Sequence, residues 1–466
     1  MRHLLKVFLL FSFLCSAAYS SPVEPVSEVL PNGLEVVWFY QPDLPVVDLS
    51  LVVRAGFRDD KSGKSGTAAL LLTLLDRGSA GKSALETARF VEEMGVSRLL
   101  NSQDDQTLIQ FHGLALDSAL MVKALAEMVL KPNLAADEFV REKRKILERW
   151  NHLENAAETV STMVQHRLLA SGTSYARGAM SSLSDLKNIK REDLIDFHKT
   201  YFTPQNAFLA VVGSFDRAAM RNTIVNEFSS PNSQWPGSGI PKRIRKNHFE
   251  TRLLRGTSKT NDPVFVINRS GGTQTSLKLS YKIPPLEVKN YFPLLVLNAA
   301  IGEYIDSRLT TIIRDKLGLT YGIESSLSFT QEMGEFSVVS SARNENIAFL
   351  VQRTEGVIED LFKEPMTQEE IDNAKSFLIG SFGVSHASLP AYASRWLLMR
   401  ELGLPSDFVT KYAERIQEVQ LTEVHRVLKE ALQLKKKVII LTGDLPAIQK
   451  SFECRKSFSL QGAYLR

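Results

Sequence analysis

Two apolar stretches near the start of the chain, Leu34 to Tyr40 and Val46 to Arg54, are rich in β-branched and aromatic residues. A turn holding proline and aspartate separates them, and the pattern predicts two adjoining strands. Helical spacing follows over Thr67 to Asp76, Ser83 to Met94 and Asp137 to His152, the last with apolar residues at Phe139, Val140, Ile146, Leu147 and Trp150. Tyr201-Phe202-Thr203-Pro204 then leads into a strand, Ala207 to Val212, that ends at Gly213. From Ser229 to Asp262 the chain turns polar and gathers Pro231, Pro236, Gly237, Gly239 and Pro241, the composition of a linker. Beyond it the order repeats, with strands at Val264 to Asn268 and Thr275 to Ile283, helices at Tyr291 to Ile301 and Thr367 to Phe382, and a last strand at Val438 to Thr442. LAVVGSFD (209–216) and IILTGDLP (439–446) share a buried strand running into glycine and an acid, which points to a tandem duplication of roughly 200 residues. The expected class is α+β: two homologous domains, 21–228 and 263–466, each an antiparallel sheet with helices on one side, joined by the linker 229–262.

Composition removes several function classes. Residues 1–20 carry a basic start at Arg2 and Lys6, an apolar run from Val7 to Leu14 and small residues around Ala18-Tyr19-Ser20. That is the pattern of a secretory signal peptide with cleavage expected between Ser20 and Ser21, too short to span a bilayer. No later apolar run reaches membrane length, so the expected product is soluble, exported and without a transmembrane segment. Cleavage would leave a single cysteine, Cys454, so no internal disulfide is expected and ordinary cores must hold the fold. A formal net charge of +4, with basic and acidic residues interleaved, gives no case for nucleic acid. The densest basic run, Lys435-Lys436-Lys437, reads as a solvated strand end. Gly271-Gly272 lacks the partners of a phosphate loop, and neither Ser65 nor Ser181-Ser182 has the setting of a nucleophilic serine.

The stretch from Gly63 to Ser79, GKSGTAALLLTLLDRGS, resembles the insulinase/pitrilysin family of zinc peptidases, whose members read SG-x-A-H-x-x-E-H-x-L there. In that pattern two histidines one turn apart bind zinc and the glutamate between them activates water. Aligned on Ser65-Gly66 and Gly78, Ala69 and Thr73 take the histidine positions and Leu72 the glutamate. The family's third ligand falls seven residues after Glu142 in EFVREKRKILERW, which is Arg149, a cation that cannot ligate a metal. Glu148 is one residue away, about 100° around the helix. The eight histidines contain no pair four residues apart, so no shifted register restores the site. Leu70, Leu71, Leu72, Leu74 and Leu75 cover so much of the helix that it must be almost wholly buried.

LPNGLEVVWF, LPVVDLSLVVRAGFRDD, YFTPQNAFLAVVGSFD and SRLTTIIRDKLGLTYGI resemble family blocks and stand in family order. The resemblance implies two halves arranged as a clamshell, with the zinc site on the first and a substrate wall on the second. In SRL-x4-R-x3-G-x2-Y, active members use the arginine and tyrosine on the substrate backbone beside the scissile bond; here they are Arg314 and Tyr321. Both can donate hydrogen bonds to a carbonyl becoming an oxyanion, and Gly318 fits a helix C-cap that lets the chain turn back between them. Taken without the family, Arg314 reads as a last-turn residue answering the helix dipole and Tyr321 as a half-buried strand aromatic.

In some exported bacterial members the zinc motif and the Arg/Tyr pair lie on separate chains. The resemblance therefore implies a non-catalytic, substrate-binding subunit of a periplasmic heterodimeric zinc metalloendopeptidase, inactive alone. This chain would hold no cofactor, zinc would sit in a paralogous partner, and the substrate would be a peptide or unfolded protein. The alternative is a catalytically inert family member acting as a protein-binding or assembly factor.

Overall fold

A computed structural model describes residues 24–42, 45–151, 157–178, 182–241, 264–385, 388–432 and 437–454. The expected signal peptide lies outside these residues, as does most of the expected linker beyond Pro241. The fold is α+β with two sheets. The first holds β1 (Val26–Val29), β2 (Glu35–Tyr40), β3 (Val46–Val53), β4 (Ser97–Ser102), β5 (Thr107–Leu114) and β6 (Ala207–Gly213) in the order β1-β2-β6-β3-β5-β4. The second holds β7 (Val264–Asn268), β8 (Gln274–Ile283), β9 (Ile323–Phe329), β10 (Gly334–Arg343) and β11 (Lys437–Gly443) in the order β7-β11-β8-β10-β9. Without β1 the two orders are the same, the expected replay.

Two details differ from the sequence reading. β2 and β3 are consecutive but not adjoining, because β6 inserts between them, parallel to β2 and antiparallel to β3. β11 enters the second sheet in the same way, parallel to β7 and antiparallel to β8. Each sheet is therefore antiparallel except for one parallel pair. The pairing partner of β2 arrives late in its half of the chain, and nothing in the turn after Tyr40 announces it.

The glycines that end β6 and β11 are required by this insertion. A Cβ on Gly213 would lie 2.1 Å from the Val46 carbonyl oxygen, and one on Gly443 would lie 2.4 Å from Thr275 Oγ1, at the start of β3 and near the start of β8 respectively. The acids that follow cap the next helices: Asp216 accepts from the Ala219 amide at 2.7 Å, and Asp444 from the Ala447 amide at 3.0 Å.

Helices do not lie on one side alone. One face of the first sheet, including Val36, Trp38, Leu49, Ile109 and Val211, packs against helices of its own half. The other presents Val37, Phe39, Phe208, Ala210 and Val212 to the helix Leu389–Glu401 of the second half. Trp396 meets Phe39 edge-on with ring centroids 5.5 Å apart. The second sheet is covered reciprocally: Phe265, Ile267, Val438 and Ile440 pack with Ala157 and Leu169 at the ends of a first-half helix, Ala157–Leu169. Strands buried on both faces carry unbroken apolar runs rather than alternation, which is why LAVV and VIIL read as continuous hydrophobic blocks.

Polar groups fasten the same seam. Arg54 grips Glu401 with Nε 2.9 Å from Oε2 and Nη2 3.1 Å from Oε1, Arg400 pairs with Glu35, and both guanidinium groups sit about 5 Å from the Phe208 ring centre. Arg58 bonds Tyr175 Oη at 2.6 Å and reaches across to Gln331 Oε1 at 2.9 Å. His166, on the Ala157–Leu169 helix, places Nε2 2.8 Å from the Tyr175 carbonyl oxygen and 3.3 Å from Asp104 Oδ1, with the Glu335 carboxyl of the second half also nearby. Burial opposes the imidazolium, but the bond and charge of Asp104, with help from the Tyr175 carbonyl and Glu335, hold its pKa above the ordinary value. A raised pKa of this kind adds stability that is full below the unfolded value of about 6.5 and is lost as pH rises through the folded value. Chemical denaturation at about pH 6 and about pH 8 should show His166→Gln losing more stability at the lower pH than at the higher; an equal loss at both would contradict the assignment.

Candidate functional site

The helix that carries the three degenerate motif positions, Thr67–Leu75, is held at its start by Asp60. That carboxylate is fully buried and accepts from the Gly66 amide at 2.7 Å and the Ala68 amide at 2.9 Å, satisfying donors the helix leaves open. Burial is the largest influence on Asp60 and pushes it up to about 8, against the two amides and the Arg177 guanidinium. Neither Asp60 nor Arg177 was picked out from sequence; their signal was an acid just upstream of a helix start and an arginine more than a hundred residues later.

Leu70, Leu71, Leu72, Leu74 and Leu75 are all buried, as the leucine density requires. Ala69 and Thr73 are half-buried, and the Thr73 hydroxyl donates to the Ala69 carbonyl oxygen at 3.0 Å. Arg149 is exposed on the helix Ala136–Asn151, and Glu148 beside it is exposed and pairs loosely with Arg144 at 3.8 Å. A methyl group, an isobutyl group, a hydroxyl spent on the backbone and a guanidinium offer no first shell to zinc. Glu142 is buried, with Arg77 Nε at 3.0 Å and Lys145 Nζ at 2.9 Å. Burial would raise its carboxyl, but these two cations outweigh it and keep the group below its ordinary value. The charge of Glu142 is thus already met by cations within the chain. Among the described residues no three histidine, cysteine or acidic side chains are grouped as a metal would need.

The second half is arranged differently. Ser307 and Leu309 are buried, and Arg308 forks onto Glu370 with Nε–Oε1 at 2.7 Å and Nη2–Oε2 at 2.6 Å, so the SRL triplet anchors the segment. A π-helical stretch, Thr310–Lys316, carries Arg314, whose Nε donates to Asp315 Oδ1 at 2.8 Å. The Arg314 Nη groups form no hydrogen bond among the described residues, and the side chain stays partly exposed. Gly318 adopts φ +60° and closes the stretch, its amide donating to the Arg314 carbonyl at 3.0 Å while the Leu319 amide donates to the Ile313 carbonyl at 3.1 Å. Tyr321 follows just before β9 and is 95 % exposed, so it is not a half-buried strand aromatic. No hydrogen bond joins it to Arg314, and none joins either residue to the Thr67–Leu75 helix, among the described residues. The structure brings the pair to one surface segment rather than into mutual contact.

A separate cavity of about 500 Å³ opens at the seam between the halves, with Asp104, His166 and Arg177 on one side and Phe329, Gln331 and Leu402 on the other. It includes none of the motif positions. No helix among the described residues is long and apolar enough to cross a membrane.

Comparison with known proteins gives the following. Residues 35–181 match the family described as Insulinase (Peptidase family M16), and residues 188–378 match the Peptidase M16 inactive domain. An uncharacterized zinc protease of Mycobacterium tuberculosis is 24% identical over 420 residues, covering 88% of this chain and 93% of its own length. The zinc protease PqqE of Helicobacter pylori is 24% identical over 417 residues, covering 87% of this chain and 89% of its own. Among solved structures, a peptidase M16 inactive domain from Pseudomonas fluorescens superposes with a TM-score of 0.79 at 23% identity, over 90% of this chain and 98% of that one. The periplasmic protease PqqL of Escherichia coli gives 0.73 at 14% identity over 93% of this chain, which spans 49% of that longer protein.

Gly318→Ala tests the turn that separates Arg314 from Tyr321. Nothing lies within 4 Å of the added Cβ, so the cost should be backbone strain alone, about 1–2 kcal/mol by chemical denaturation. A neutral substitution would mean that the left-handed conformation is not what holds this segment.

Proposed function

The chain belongs to peptidase family M16, the insulinase family, and we propose that within it the chain is the non-catalytic, substrate-binding subunit of an exported heterodimeric zinc metalloendopeptidase. The observation that carries the reading is a contrast between the halves. The helix that would hold zinc is packed with leucine, whereas the second half turns an unpaired guanidinium edge and an almost fully exposed phenol outward. Arg314 uses only Nε, on Asp315, and the Tyr321 hydroxyl has no hydrogen bond among the described residues, so both keep donors for a ligand.

In this reading the units 21–228 and 263–466, linked by 229–262, form the peptidase-like body. The zinc-bearing partner is a paralogue, and the substrate is a peptide or unfolded protein. Arg314 donates through its Nη groups and Tyr321 through its hydroxyl to the carbonyl oxygen of the scissile bond, steadying the negative charge that develops there. No residue of this chain supplies the nucleophile or takes up the proton. Export, through residues 1–20, agrees with the periplasmic placement of PqqL, a structural neighbour.

Reconstitution with a zinc-bearing paralogue tests this. Arg314→Ala and Tyr321→Phe should each lower kcat on the order of 10²-fold, as loss of one oxyanion donor does, with smaller changes in KM. The double variant should fall short of additivity if both act on one atom, and size exclusion should show assembly intact. Full activity in both single variants would leave the assembly-factor reading in its place. The isolated mature chain should also hold far less than stoichiometric zinc by elemental analysis; anomalous scattering from a zinc in the first half would refute the division of labour.

A further inference from the structure

Tyr321 is almost completely exposed, yet the backbone on both sides of it is tied down. Thr320 is turned inward, and its hydroxyl lies 2.8 Å from the Gly322 carbonyl oxygen and 3.1 Å from the Gly322 amide nitrogen. One side chain thus holds both polar groups of the residue two positions on. Ser340 on β10, opposite Ile323 in the ladder, completes the arrangement with its Oγ 3.1 Å from Thr320 Oγ1 and 2.9 Å from the Gly322 oxygen. Each hydroxyl has one proton. When Ser340 donates to Thr320 and Thr320 donates to Gly322, every group is satisfied and the bonds reinforce one another.

Steric packing does not explain the conformation, because a Cβ on Gly322 would have nothing within 4 Å. Upstream the segment is fixed by the Gly318 and Leu319 amides on the preceding helical turn. Residues 318–322 are thus bracketed at both ends, with an aromatic side chain presented from the middle. A surface tyrosine with no task gains nothing from this ordering, which costs conformational entropy. A hydrogen-bond donor that must meet a reacting carbonyl gains a great deal, since a misplacement of about 1 Å can cost on the order of 10²-fold in rate.

We propose that Thr320 and Ser340 are positioning residues for Tyr321, a two-hydroxyl clamp that fixes its distance from Arg314 before the peptide arrives. The proposal rests on the reading of Tyr321 as an oxyanion donor. The clamp itself touches no substrate, so its effect falls on turnover rather than on binding.

The test uses the full mature chain reconstituted with a zinc-bearing paralogue, and a quenched fluorogenic peptide selected from a random library. Ser340→Ala and Thr320→Val should each lower kcat roughly tenfold with KM almost unchanged, whereas Thr320→Ser, which keeps the hydroxyl, should retain turnover. In the isolated chain, the same two damaging variants should speed hydrogen exchange of the Gly322 amide by roughly tenfold, with the global unfolding midpoint nearly constant. If Tyr321→Phe abolishes turnover while both clamp variants run at full rate, the clamp is refuted and the oxyanion reading stands. If Tyr321→Phe is itself without effect, both fall.

Discussion

The structure depends on one constraint: each sheet has a second apolar face that its own half cannot cover. Val37, Phe39, Phe208, Ala210 and Val212 need the Leu389–Glu401 helix, and Phe265, Ile267, Val438 and Ile440 need the Ala157–Leu169 helix. The halves therefore exchange helices, and each becomes part of the other's core. Burying a large apolar side chain stabilises by about 1.5–3 kcal/mol, so a face of four or five such residues outweighs any of the ion pairs along the seam. The arginine–carboxylate pairs there set register; the apolar faces hold the halves together.

With the frame fixed in this way, the two halves differ at the segments that carry the motif positions, the first helix after β3 in one and the loop just before β9 in the other. Where the first half has the Thr67–Leu75 helix, leucines fill the helix surface and Arg77 answers the remaining Glu142. In the second half, Gly318 and the hydroxyls of Thr320 and Ser340 keep a loop open and ordered. One segment is filled by packing and the other is held by hydrogen bonds. The contrast is chemical, and it requires no difference in strand order.

Much of this was legible in the chain because the signals are local. The Leu70–Leu75 density announces burial, the shared endings of β6 and β11, a buried strand into glycine and an acid, announce the repeat, and the order of blocks announces the family. What was illegible is long-range. The insertion of β6 between β2 and β3 is made by residues more than 150 positions apart, and no residue near Tyr40 encodes it. The helix exchange escaped notice because an apolar helix face does not say which sheet it covers. Tyr321 was recognisable by its spacing from Arg314, but its exposure was not, and Ser340 lies on a strand with no local sign that its hydroxyl serves the preceding loop.

The reciprocal covering also imposes an order in time. Synthesis runs from the N-terminus, so the first sheet is complete once Gly213 has been made, well before the helix beginning at Leu389 exists to cover it. The Phe39 and Phe208 face therefore stays bare until residues about 175 positions beyond Gly213 have followed, an exposure in which aggregation competes with folding. The first half is thus born with a sticky surface, and the last quarter of the chain acts as its delayed chaperone.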